Sequence, residues 1–208
     1  MKERPILFSG PMVRAILDGR KTQTRRVVNW QKVAKQSGCT KGTLAYSDAF
    51  SSWAVFNGNG EAHLGLVDCP YGQSGDRLWV RETWCQWDWE DLGTEPQDPI
   101  TLRFRADGDI PAVKWRPSIF MFRWASRITL EITNVRVERL QDISDADIDA
   151  EGCRHAFDAE YGEGWDTANP LYHWWKRWDK INGKKYPWSR NPWVWVIEFQ
   201  REFPKVQA

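Results

Sequence analysis

The stretch Pro192-Trp193-Val194-Trp195-Val196-Ile197-Glu198-Phe199 does most to limit what this chain can fold into. A strand with one wet face alternates apolar and polar residues, because successive side chains point to opposite sides. Here both parities are apolar, so the segment reads as a central strand of a sheet. Leu78-Trp79-Val80, after the turn signal Ser74-Gly75-Asp76, is a second short strand with the same internal character. Ile128, Leu130 and Ile132 alternate with Thr129, Glu131 and Thr133, and the apolar parity then moves to Val135 and Val137. A one-residue slip would turn the inward face outward, so the switch predicts a β-bulge near Thr133-Asn134.

The helices are few and short. Ile6-Leu7-Phe8 reads as a strand, and Ser9-Gly10-Pro11 opens a helix with Met12, Val13, Ile16 and Leu17 as its apolar stripe. Gly19 is its left-handed stop. Ser144 caps a second helix, with Asp147 three residues on, Ile143 and Ile148 at the positions of a hydrophobic staple, and Gly152 at its end. Asn169-Pro170 opens a third helix with the stripe Leu171, Trp174, Trp175, Trp178 and Ile181, closed by Gly183. Residues 29–68 are polar and glycine-punctuated, with strand hints at Leu44-Ala45-Tyr46 and Trp53-Ala54-Val55-Phe56; they read as an insertion containing a hairpin. Residues 85–120 form a second, acidic insertion around a strand at Leu102-Arg103-Phe104. The expected fold is α+β, mostly β: a small mixed barrel of one domain spanning 1–208 with two long insertions.

Composition narrows the function classes. The net charge is +1, so recognition of a phosphate or a base requires a local basic patch, and Arg20, Lys21, Arg25 and Arg26 form the densest cluster. No run of about 20 apolar residues occurs, and no apolar stretch follows Met1-Lys2-Glu3-Arg4, which argues against membrane insertion and secretion. The four cysteines, Cys39, Cys69, Cys85 and Cys153, form no Cys-x-x-Cys pair, and His63, His155 and His173 complete no zinc spacing; neither metal nor cofactor is expected. Scattered free thiols fit a reducing cytoplasm. Most of the fifteen tryptophans are expected in the core, with a few left to stack on bases.

The chemistry concentrates in Gly19-Arg20-Lys21-Thr22-Gln23-Thr24-Arg25-Arg26. On a regular strand Lys21 and Thr24 would point to opposite faces, so they meet only if the chain turns directly after the helix stop. Glu151 lies at the end of the Ser144-capped helix, where the helix dipole disfavours negative charge. It is either solvated there or paired with a cation, and Lys21 is a candidate partner. Glu82 either lines a cleft or pairs with Arg81 or Arg77. Arg123 and Trp124, just before the bulged strand, are candidates for the same cleft.

Gly19-Arg20-Lys21-Thr22-x-Thr24 after a short helix, Gly75-Asp76-Arg77-Leu78-Trp79-Val80-Arg81-Glu82, the capped helix ending in Glu151, and the final strand together resemble the ASCH domain family. That family belongs to the PUA-like superfamily of small β-barrels, and the layout resembles its longer bacteriophage and prophage members. Small bacterial ASCH proteins include amidohydrolases that deacetylate N(4)-acetylcytidine with a lysine, a threonine and a glutamate. The resemblance carries these roles onto Lys21, Thr24 and Glu151, with Arg20, Thr22, Arg25, Arg26, Glu82, Arg123 and Trp124 as substrate-binding candidates. In that scheme a threonine hydroxyl is activated by a lysine whose pKa is lowered, and the glutamate orients the lysine or carries the proton to the departing amine. Other family members are ribonucleases or RNA-binding modules. Three readings therefore stand: a hydrolase of an N(4)-acylated cytidine-type base, a ribonuclease, and a non-catalytic reader gripping phosphate. The expected partner is a nucleoside or single-stranded RNA.

Overall fold

The computed structural model describes residues 1–38, 42–47, 52–56, 62–87, 101–111, 113–153 and 169–202. Its ten strands are β1 (Glu3–Leu7), β2 (Gln23–Val27), β3 (Thr43–Ser47), β4 (Ser52–Phe56), β5 (Ala62–Val67), β6 (Arg77–Arg81), β7 (Trp84–Trp87), β8 (Thr101–Phe104), β9 (Thr129–Arg139) and β10 (Trp193–Arg201). Four α-helices accompany them among the described residues: α1 (Gly10–Leu17), α2 (Trp30–Ser37), α3 (Asp145–Ala150) and α4 (Pro170–Asn182). The architecture is α+β and mostly strand.

The main sheet has five strands in the order β1-β6-β9-β10-β2, parallel between β1 and β6 and antiparallel elsewhere. The two-faced apolar strand β10 sits between β9 and β2, and the expected internal strand β6 between β1 and β9. On β10, Trp195, Ile197 and Phe199 enter one core with Ile6, Val13, Ile16, Leu78, Leu130 and Ile132. Val194 and Val196, of the opposite parity, enter a second core with Ile143, Ile148, Trp174 and Trp178. Covering by separate layers is why both parities of this strand are apolar. Arg26 closes the seam between the edges β1 and β2 with its side chain: Nη2 donates to Leu7 O at 2.6 Å and the guanidinium lies over the Phe8 ring.

The expected bulge is present. Ile132 stands opposite Phe199 and Asn134 opposite Glu198, which leaves Thr133 as the extra residue on β9. With that one insertion Val135 and Val137 pack against the same core as Leu130 and Ile132. The turn before β6 is fixed by Asp76, whose carboxylate accepts from Lys2 N at 2.6 Å and from Arg4 Nη1 at 3.3 Å.

The first insertion holds more than a hairpin. It contains α2, capped by Asn29 Oδ1, and a three-stranded antiparallel sheet β3-β4-β5 that buries Leu44 and Val55 against the first core. The eight-residue α2 is short and polar overall, with Val33 its one buried side chain, and so it escapes a pattern reading. In the second insertion β7 pairs with β8 over the expected strand. In α4 the stripe is narrower than its spacing suggests: Trp174 and Trp178 are buried, whereas Leu171 and Ile181 are exposed and Arg177 is buried beside the tryptophans.

Ser144 caps α3 as the sequence predicts, its hydroxyl accepting from Asp147 N while the Asp147 carboxylate accepts from Ser144 N. Gly152 after it has φ +71°, and a Cβ there would lie 2.9 Å from both Ala15 Cβ and Lys21 Cβ. Gly152→Ala is expected to cost about 2–4 kcal/mol, left-handed strain and overpacking together. Ser144→Ala, which loses only the cap, should cost about 1 kcal/mol. Urea unfolding of the two variants checks the order; equal midpoints would contradict it.

Candidate functional site: a cavity along the edge strand

The turn that lets Lys21 and Glu151 meet begins at Gly19, whose φ of +74° ends α1. Arg20 N and Lys21 N then both donate to Ala15 O, at 2.8 and 2.9 Å, and fold the chain back across the helix end. Lys21 forms an isolated antiparallel bridge with Glu151, and Thr22 N donates to Ala150 O at 2.8 Å. The backbone thus places the lysine against the C-terminal end of α3 before any side chain contributes.

The Lys21 side chain is fully buried and the Glu151 side chain 7% exposed. Lys21 Nζ donates to Glu151 Oε2 at 2.6 Å, to Glu151 O at 3.0 Å and to Gln23 O at 2.7 Å. All three ammonium protons therefore have acceptors. The remaining carboxylate oxygen, Glu151 Oε1, lies 3.5 Å from Arg25 Nη1. Burial pushes the Glu151 carboxyl up, but the Lys21 and Arg25 cations outweigh it and hold its pKa below the usual carboxylate range. Burial draws the Lys21 ammonium below its usual range, against the opposing pull of Glu151.

A charged network extends from this pair. Arg25 reaches Glu138 at 2.5 Å and Asp147 at 3.2 Å, and its Nη1 donates to Gln23 Oε1 at 2.6 Å. Gln23 Nε2 donates to Asp147 Oδ1 at 2.9 Å. Arg136 pairs with Glu138, Asp147 and Glu198. Burial opposes ionisation of Asp147, yet hydrogen bonds from Gln23 and Ser144, with Arg25 close by, hold it far below the ordinary carboxylate range.

Beside this network lies a cavity of about 300 Å³. Four consecutive residues of β2 line it, Thr24, Arg25, Arg26 and Val27, and both parities can do so because β2 is an edge strand. Glu151, Cys153, Arg177, Trp174 and Trp178 supply another wall, and Met12, Tyr71 and Tyr186 contribute from α1 and two loops. Arg177 Nη1 lies 3.6 Å from Cys153 Sγ, and burial raises that thiol's pKa to about 11. Thr24 is 2% exposed, and its hydroxyl makes no hydrogen bond among the described residues. It makes no hydrogen bond with Lys21 Nζ, whose protons go to Gln23 and Glu151, and Lys21 is not among the described residues that line the cavity.

The other sequence candidates divide. Arg25 and Arg26 line the cavity, but Arg25 is neutralised by carboxylates and Arg26 is held by Leu7 O and the Phe8 ring. Arg20 points away and pairs with Asp18 at 2.7 Å, and Thr22 is exposed. The expected basic patch is thus largely consumed by internal contacts. Glu82 is buried and pairs with Arg127 at 2.9 Å, not with Arg81 or Arg77. Arg123 pairs with Glu3, and Trp124 is 60% exposed, edge-on to Trp84 and stacked on Phe122. Glu82, Arg123 and Trp124 do not line this cavity.

Arg177 and Cys153 escaped the sequence reading. Arg177 sits on the apolar stripe of α4, between the spacing positions of Trp174 and Trp178, and a charged residue there was the available signal. No group of three or more His, Cys, Asp or Glu side chains placed to hold a metal occurs among the described residues. Cys39 and His155, weighed as ligands, lie outside them, as does the His63 side chain. Among the described residues no helix is long and apolar enough to cross a membrane.

A scan of protein-family models finds none that matches the chain, and a search of curated proteins finds no match either. Among solved structures the chain is similar to an ASCH domain from Lactobacillus crispatus JV V101, at 13% identity and a TM-score of 0.43 over 96% of this chain and 79% of that one. That is the family whose motif blocks this sequence resembles.

Removing one partner of a buried pair leaves the other charge uncompensated. Lys21→Met is expected to cost about 3–5 kcal/mol, and Lys21→Met with Glu151→Leu markedly less than the two single costs added. Strict additivity in a denaturation cycle would show that the pair is not coupled. Because Glu151 and Asp147 titrate below their ordinary values of 4.5 and 3.8 when folded, the unfolded chain binds more protons in acid. Their stabilisation is full above about pH 5 and is lost as pH falls. Urea midpoints should fall from pH 5 to pH 3, less steeply in Glu151→Gln; a flat profile would contradict the assignment.

Proposed function

We propose that the chain hydrolyses the exocyclic amide of an N(4)-acylated cytidine-type base bound in this cavity. The observation that carries the reading is the Thr24 hydroxyl, without a hydrogen-bond partner among the described residues, in a cavity that a buried glutamate also lines. A planar heterocycle suits a cavity bounded by Trp174, Trp178, Tyr71 and Tyr186, and the guanidinium groups of Arg26 and Arg177 suit its carbonyl oxygens.

The resting pair is an ammonium and a carboxylate, so the base is generated within it. Transfer of one proton from Lys21 Nζ to Glu151 across their 2.6 Å hydrogen bond gives a neutral amine and a carboxylic acid. The neutral amine, released from the Gln23 carbonyl and turned toward Thr24, takes the hydroxyl proton as Oγ1 attacks the acyl carbonyl carbon. The Glu151 acid then protonates the departing ring amine as the carbon–nitrogen bond breaks, leaving an acyl-threonine, and Lys21 and Glu151 are again ammonium and carboxylate. Water, deprotonated by the same pair, hydrolyses the ester and restores Thr24.

The internal neutralisation of Lys21 and Arg25 favours this reading over a phosphate grip at the same residues. A histidine-based ribonuclease draws no support from the described residues, since His173, the one histidine whose side chain is among them, does not line the cavity. Incubation with N(4)-acetylcytidine should release acetate, and Thr24→Val, which removes only the hydroxyl, should lower turnover at least about a hundredfold while unfolding like the wild type. Wild-type turnover in Thr24→Val would remove the nucleophile from the scheme. Absence of acetate release, together with salt-sensitive binding of single-stranded RNA, would favour the non-catalytic reader. RNA cleavage in place of deacetylation would favour the ribonuclease.

A further inference from the structure

A second cavity, of about 440 Å³, adjoins the first and shares Val27, Tyr71 and Tyr186 with it. Its character is different. Arg4, Lys32 and Lys185 line it, and no acidic side chain does so among the described residues. Lys32 and Lys185 are exposed and make no ion pair among the described residues. Arg4 has one weak pair, with Asp76 at 3.3 Å. Asn29 uses its side-chain oxygen to cap α2, accepting from Gln31 N at 3.0 Å, which leaves its amide N–H groups to donate.

In the first cavity Arg25 is spent on carboxylates and Arg26 on Leu7 O and the Phe8 ring, whereas Lys32 and Lys185 of the second have no carboxylate partner among the described residues. Two cations without a carboxylate partner and a third only weakly paired, lining one cavity with an amide donor, form an anion site. Tyr71 lines both spaces. Burial raises its phenol pKa, so it stays a neutral donor and does not repel an anion.

We propose that the second cavity binds a phosphate group carried on the sugar of the substrate, so that the molecule recognised is a nucleotide and not a free nucleoside. This rests on the proposed base site for the position of the ring, but the phosphate site stands on its own residues. A base seated against Thr24 and Glu151 would direct its sugar past Tyr71 into the cation-lined space. The phosphate has two sources, a mononucleotide or the backbone of RNA.

Calorimetric titration of the full chain with cytidine, cytidine 5′-monophosphate, a short oligocytidine and inorganic phosphate tests this. The monophosphate is expected to bind at least about tenfold tighter than cytidine, through charge-assisted contacts, and inorganic phosphate to compete with it. Lys32→Ala with Lys185→Ala, both surface positions, should bring the ratio of the two affinities close to one. Oligocytidine binding more tightly than the monophosphate would identify RNA as the source; weaker binding would identify the mononucleotide. Equal affinity for cytidine and its monophosphate in the wild type, no binding of either, or a ratio that survives the double substitution, would overturn the proposal. Loss of deacetylation alone, with the ratio intact, would overturn the hydrolase reading and leave this one standing.

Discussion

The contact between Lys21 and Glu151 is the interaction on which the site depends. It joins the segment leaving α1 to the end of α3, elements 130 positions apart in the chain. Two opposite charges in an apolar interior are costly to desolvate, and a well-packed apolar pair in their place is often no less stable. What the pair adds is a unique arrangement: three acceptors fix Nζ, and the bridge between the two backbones fixes the acceptors. Gly152 makes the approach sterically possible, since it has no Cβ to meet Lys21.

Around that contact, cation and carboxylate alternate through Arg25, Asp147, Glu138, Arg136 and Glu198. The even-numbered residues of β10 and the even-numbered residues of β9 beyond its bulge face this layer. One parity of the same strands therefore builds an apolar core, while the other is shared between a smaller core and a buried polar network. The cavity opens where the sheet ends. An edge strand leaves backbone and both side-chain parities unpaired on one side, and β2 turns that exposure into a lined recess under α4.

Charge is distributed unevenly between the two adjoining spaces. In the first, every cation from β2 already has a partner or a carbonyl, so the space suits a neutral, flat and hydrogen-bonding group. In the second, Lys32 and Lys185 lack carboxylate partners among the described residues and Arg4 has only its 3.3 Å pair with Asp76, so it suits an anion. A single ligand with a ring at one end and a phosphate at the other satisfies both, which a run of basic residues in sequence would not have distinguished.

Much of the fold was legible in the residues because it follows from local rules. The parity of β10, the parity switch at Thr133, the capping box at Ser144 and the stops at Gly19 and Gly152 are each set by geometry within a few residues. α2 was not legible, because its short helix buries little, and the outer residues of the α4 stripe misled, because periodicity says which face is apolar and not how far a partner covers it. The sequence by itself determined four of the five strands of the main sheet, three of the four described helices, and which segments carry lysine, threonine and glutamate. Only the tertiary structure decided that Lys21 is sealed against Glu151, that Arg25 belongs to carboxylates and that Glu82, Arg123 and Trp124 lie elsewhere. The reason is physical: a side chain's charge is fixed by its chemistry, but its partners and its solvation are set by residues a hundred positions away.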